Sequence, residues 1–150
     1  MSNPNSLRNT APPRAMRRWR LAGVVFVFLW FLIGGIAHFA ATEMEMRIVP
    51  PIIPCPRTAV LVSGVLELLG AAGLAWQPTR RVAGIGLFAL TVAVTPAHFY
   101  MLQRPELFSV PYWALVLRIP VQALLLALIA WSTWIVSRPC DIRQSDGTVS

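Results

Sequence analysis

The chain has 150 residues, 56% of them hydrophobic and only 13% charged, with a mean hydropathy of +0.61. A soluble domain of this size needs more charge to cover its surface, so the composition indicates a small integral membrane protein built as one domain. The net charge of +7 does not signal nucleic-acid binding: every basic residue is Arg, and the arginines flank apolar runs instead of forming a patch on a soluble fold.

Residues 1–16 are polar and Pro-rich and read as a disordered tail. Arg17, Arg18 and Arg20 then precede a run that predicts a first transmembrane helix over about 20–41. It is too long, and lacks the small-residue cleavage site, for a removed signal peptide. The segment TEMEMRIVPPIIPCPR follows. Pro50, Pro51, Pro54 and Pro56 forbid a regular helix there, while Ile48, Val49, Ile52 and Ile53 are too apolar for a solvated loop. An interfacial segment lying over the end of a bundle is expected.

A second helix is expected over about 58–76 and a third over about 82–101 with Pro96 inside it, joined by a tight turn at QPTRR. A fourth is expected over about 112–136 with Pro120 inside it, after the short connection LQRPELFSVP. Pro within a span is tolerated where a neighbouring helix satisfies the freed carbonyl. Residues 138–150 form a polar tail, so the folded domain spans 17–137. Short connections force antiparallel neighbours, which predicts an all-α, up-down-up-down four-helix bundle.

One side of the bundle collects Arg8, Arg14, Arg17, Arg18, Arg20, Arg80, Arg81, Arg138 and Arg143, and the other only Arg47, Arg57 and Arg104. This bias puts both termini in the cytoplasm and the two longer connections outside, in a plasma (bacterial inner) membrane. Cys55 and Cys140 then lie on opposite sides and cannot pair within the chain. Five glycines, at 64, 70, 73, 84 and 86, are expected to permit close helix packing.

The informative residues are the polar ones inside the spans. His38 falls near the outer end of the first helix. Glu67 lies about 13 Å in from Thr58 along the second, with Ser63 on its face. Thr91, Thr95 and His98 share a stripe of the third, the two threonines being expected to bond their own helix carbonyls. Arg118 lies about 9 Å in from Tyr112 on the fourth, with Gln122 one turn on. These depths overlap, which predicts one shared polar site in the outer half. A lone Arg or Asp at the centre of a span costs about 2.5–3.5 kcal/mol to insert, and Glu should cost about the same. An ion pair or shared hydrogen-bond network between Glu67 and Arg118, with Gln122 and Ser63 close by, is the expected relief. No HxxxH or ExxH spacing marks a metal site, and no phosphate loop, catalytic triad or haem, flavin or iron–sulfur ligand set is present.

The runs GGIAHF, RIVPPIIPCP, LVSGVLELLGAAGL, TRRVAGIGL, TPAHFYM and LRIPVQALLLALIAW, in this order from Gly34 to Trp131, together resemble the DoxX family of small four-helix membrane proteins. The resemblance implies the same bundle and a link to quinone-dependent membrane redox systems. Two functions are therefore expected. In the first, Glu67, Arg118, His98, His38, Gln122 and Ser63 bind a quinone headgroup or relay a proton beside a membrane or extracytoplasmic redox protein. In the second, the chain is a non-enzymatic structural or assembly partner, docking through its outer connections. Self-association into a homo-oligomer is compatible with either.

Overall fold

Arg14, Ala15, Met16 and the arginines after them are strong helix formers, and two prolines precede them in the sequence, where Pro favours a helix start. The first helix, α1 (Arg14–Ala40), accordingly begins before residue 20, and residues 14–16 belong to it and not to the tail. A computed structural model describes residues 14–108 and 111–134, and the regular structure of these residues is entirely helical. The expected C-terminal tail, the last turn of the fourth helix and Cys140 lie outside the described residues, as does the start of the N-terminal tail.

A five-residue helix, α2 (Thr42–Met46), fits ahead of the prolines. Residues 47–55 turn back without regular structure, and Pro56 sits in the first turn of α3 (Pro56–Ala75), where its missing N–H costs no helical bond. The expected third helix is two helices, α4 (Arg80–Ala93) and α5 (Thr95–Gln103), broken at Val94. Pro96 causes the break: it has no N–H for the carbonyl of Val92, and its ring crowds that carbonyl. A 3-10 turn at Pro105–Leu107 leads on to α6 (Tyr112–Thr133), which carries Pro120 internally.

Four segments are long and apolar enough to cross a membrane: Ala15–Ala40, Pro56–Ala75, Arg80–Gln103 (α4 with α5) and Tyr112–Thr133. The large apolar side chains left on the outside, Ile33, Leu69, Val82 and Leu124 among them, face where lipid would lie. The protein is thus an all-α four-helix membrane bundle.

The helices surround the bundle axis in the order α1, α3, α4, α6, with α1 packed on both α3 and α6, and α4 packed on both as well. Consequently α3 and α6 stand at opposite corners. Glycines bring the α1–α3 and α3–α4 backbones together: a Cβ on Gly35 would come within 2.8 Å of Leu68 and 3.1 Å of the Gly64 carbonyl, and one on Gly64 within 2.8 Å of the His38 Cβ. Gly70 and Gly73 admit Leu87 and Ala83 of α4 in the same way, and Gly84 admits Thr133 of α6. Gly86 departs from the expectation: nothing approaches the space its Cβ would occupy, because it points away from the neighbouring helices.

The interior is divided along its length. Towards the α3–α4 turn it is a dry core of Val24, Val27, Leu74, Leu87 and Ile129, closed above by Phe31 and Leu125. The buried hydroxyls there are satisfied locally, since Ser132 and Thr133 both donate to the carbonyl of Ile129. Towards the α2–α3 connection, the same four spans diverge around a cavity.

Candidate functional site

The cavity measures about 790 Å³ and is lined by residues of all six helices, with Glu45 of α2, a carboxylate not singled out in the sequence, and Ile48, Val49, Pro50, Ile52 and Ile53 of the connection across its end. All six candidate site residues, His38, Ser63, Glu67, His98, Arg118 and Gln122, line it. They are distributed over two walls.

The first wall is the α1–α3 seam. His38 Nε2 donates to Glu67 Oε1 at 3.3 Å, with both side chains mostly buried (18% and 13% exposed). Gly34 makes the geometry possible: a Cβ there would lie 2.8 Å from Glu67 Oε2, so the carboxylate fills the place of the missing side chain. The His38 carbonyl, in the last turn of α1, accepts the Thr42 hydroxyl at 2.6 Å, which ties the histidine's backbone to the start of α2. Ser63 stands one turn from Glu67 and donates to the Val60 carbonyl at 2.8 Å.

The second wall is formed by the α4–α5 break and α6. Gln122 is buried (7% exposed) and its amide nitrogen donates to the Thr91 carbonyl at 2.9 Å and to the Thr95 hydroxyl at 2.6 Å. The Thr91 carbonyl lies one residue before Val92, whose carbonyl Pro96 frees, so Gln122 of α6 adds a polar contact beside the break without replacing the lost bond itself. As expected, the threonines also bond back along their own helix, Thr91 to the Leu87 carbonyl at 2.7 Å and Thr95 to the Thr91 carbonyl at 3.2 Å. Arg118 donates through Nη1 to the Met101 sulfur at 3.5 Å. A thioether is a weak acceptor for a guanidinium, which has five donors to satisfy.

The expected Glu67–Arg118 ion pair is not formed. Among the described residues, Glu67 meets His38, and Arg118 has no carboxylate within 4 Å. The reason is the order of helices around the axis: α3 and α6 are diagonal, so two residues at matching depth face each other across the cavity instead of touching. Ser63 likewise stays on the α3 wall, away from the Gln122 network. Sequence periodicity missed the nearer partner because it assigns depth along each helix but not which helices are neighbours. The Gly34-Gly35 pair, four residues before His38, was the one available signal that α1 would press closely on another helix.

Among the described residues, three buried polar atoms bordering the cavity lack a well-aligned hydrogen-bond partner, His38 Nδ1, His98 Nδ1 and Gln122 Oε1, although the His98 and Gln122 side chains lie within reach of each other. Such atoms are unusual in a folded interior and are places for a water or a bound group. Together with Arg118 they offer hydrogen-bond donors and acceptors at the end of a largely apolar chamber. About 300–1,000 Å³ is the usual size of a small-molecule site. No group of three or more His, Cys, Asp or Glu side chains is arranged to hold a metal among the described residues.

A four-span membrane bundle with a polar-walled internal chamber is the class of protein that the fold and site define. The chain belongs to a family described as Domain of unknown function (DUF8561), whose model matches residues 27–136 and so takes in every wall of the cavity. No curated protein and no solved structure matches the chain.

Proposed function

We propose that this protein is a DoxX-like subunit or accessory of a quinone-linked redox system in the bacterial inner membrane, folded up-down-up-down with both termini cytoplasmic. The observation that carries the reading is the cavity itself: a chamber of about 790 Å³ with Glu67–His38 on one wall and Arg118 with Gln122 and His98 on the other. The chain's excess of Arg at the α3–α4 end supports the orientation and sets the cavity in the outer half. The contacts Gly34–Glu67 and His38–Gly64, Gly70–Leu87 and Gly73–Ala83, and Gly84–Thr133 and Thr91–Gln122 run in opposite chain order along each pair of helices, which supports the topology.

A quinone headgroup fits the donor set. Its ring carries carbonyl oxygens on opposite sides, and the chain offers hydrogen-bonding groups on opposite walls. Arg118 has donors to spare for one oxygen, and His38 on the facing wall can donate to the other through Nδ1 when its ring is doubly protonated beside Glu67. When bound, the quinone supplies two-electron, two-proton chemistry. The residues orient the ring, exclude water by the dry core below it, and let Glu67 and His38 hold or pass a proton. The electrons would be exchanged with a membrane or extracytoplasmic redox partner.

The test is the quinone content of the full chain purified in mild detergent and extracted into organic solvent. Glu67→Gln and Arg118→Ala should each lower it severalfold while the protein remains folded by circular dichroism. Undiminished quinone in both folded variants would sink the reading.

A second reading is favoured by the α2–α3 connection, where Ile52 and Cys55 are exposed, and by the highly exposed Met44 of α2 that precedes it. In it the chain is a non-enzymatic assembly partner, and the connection is a docking surface for another membrane protein or a second copy. Crosslinking through Cys55 separates the two: a stoichiometric protein partner, with no quinone present, favours assembly.

A further inference from the structure

The cavity's rim suggests how it is reached. Four large apolar residues line the cavity and are also exposed on the outside: Trp30 of α1 (45%), Leu117 of α6 (52%), and Ile52 and Ile53 of the connection. Trp30 lies one turn from Gly34, against which Glu67 rests, and Leu117 precedes Arg118. Both rim residues are therefore at the depth of the polar walls, well inside the span. Towards the α3–α4 end, α1 and α6 are in contact, Gly23 having Leu128, Trp131 and Ser132 within van der Waals reach of its Cβ position. Beyond Phe31 and Leu125 they flank the cavity. The side of the chamber between α1 and α6 is thus bordered by apolar residues that face both the interior and the lipid.

We propose that the chamber opens sideways into the bilayer between α1 and α6, and that its ligand is a tailed amphiphile drawn from the leaflet at the proline-rich end. The head passes between Trp30 and Leu117 to the Arg118 and Glu67–His38 walls, and the apolar tail stays in lipid along these two residues. Two features of the site require such a ligand. Among the described residues Arg118 bonds a thioether and meets no carboxylate, so a polar head with acceptor oxygens is wanted at depth. Between α1 and α6 the bordering surfaces are apolar, whereas at the α2 end Glu45 also lines the chamber, so a head on an apolar tail passes Trp30 and Leu117 while a free polar solute would have to pass Glu45. The inference rests on the quinone reading only for the identity of the head; the side opening and the need for a tail follow from the rim.

The experiment uses the full chain in liposomes, with Cys55→Ser and Cys140→Ser, and Ser63→Cys as a reporter on the α3 wall, across the chamber from the rim. A decyl-tailed maleimide dissolved in the bilayer should label the reporter faster than a charged thiosulfonate added to water. Leu117→Trp should slow the lipid-borne labelling by about tenfold or more, as narrowing a gate does, and Trp30→Ala should speed it. Ala93→Trp, at an exposed position of α4 that also lines the chamber, should slow it less than Leu117→Trp. Faster labelling from water, or slowing by Ala93→Trp with none by Leu117→Trp, would overturn the side opening. The same rim variants should change the loading rate of a decyl-tailed benzoquinone in parallel. If labelling obeys the rim but the unmutated chain binds no such quinone, the opening stands and the quinone head falls.

Discussion

The two ends of this bundle use the same four spans in opposite ways. Near the α3–α4 turn, Val27, Leu74, Leu87 and Ile129 close the interior completely, and the hydroxyls of Ser132 and Thr133 are spent on their own helix. Near the α2–α3 connection, the interior is open, and polar side chains from four helices face one another. In a membrane the apolar solvent gives no hydrophobic drive for helices to associate, so packing contacts must hold them. The dry end supplies those contacts, and the glycine seam between α1 and α3 carries them up to the cavity. The apolar packing is thereby concentrated in one half, and the other half carries the polar side chains that line the cavity.

Several substitutions would break or sharpen that division. The largest effect should come from the dry end: Ile129→Ala should cost about 2–5 kcal/mol in reversible detergent unfolding, as for other large-to-small core changes. Val121→Ala, on the cavity wall, should cost far less, because its side chain already borders empty space. Equal losses would mean that the interior is not divided.

A somewhat smaller loss is expected at the seam. Gly64→Val should destabilise by about 1–3 kcal/mol through overpacking against His38 and Phe39. Gly86→Ala should cost nothing, since no atom lies within 4 Å of the added methyl. The same unfolding assay reads both.

Smaller still are the polar couplings. Double-mutant cycles should give His38 and Glu67 a coupling of about 0.5–1.5 kcal/mol, the net worth of one hydrogen bond. Glu67 and Arg118 should couple by less than about 0.5 kcal/mol, as groups that share no contact do. A large Glu67–Arg118 coupling would restore the ion pair that the helix order argues against. Gln122→Leu removes two interhelical hydrogen bonds and is expected to cost about 1 kcal/mol, at roughly 0.6 kcal/mol for each such bond in a membrane protein. Its clearer signature should be faster amide exchange around Val94, where the α4–α5 break loses its polar contact from α6.

Much of this was legible from residue order. Length, apolar runs and proline positions located four spans to within a turn or so, because a bilayer core demands about 20 apolar residues and tolerates little else. The break at Val94 was visible only as Pro96 within a long run; whether a proline bends a span or stops it depends on how neighbouring helices pack around it, which residue order does not give. The early start of α1 was hidden by polarity, since the arginines after Arg14 look like tail by hydropathy yet are good helix formers. All six candidate site residues were found in the sequence for one reason: a polar group inside a span is conspicuous and costly.

What the sequence by itself determined is therefore the solvent, the number of spans and the depth of each polar residue. These follow from the transfer of side chains into lipid, which each helix experiences separately. Only the tertiary structure decided partners. Depth along a helix is fixed by a rise of about 1.5 Å per residue, but neighbours around the axis are fixed by which surfaces pack. Gly34, Gly35 and Gly64 brought α1 against α3, so Glu67 met His38. Arg118 was left on the opposite corner, facing the chamber.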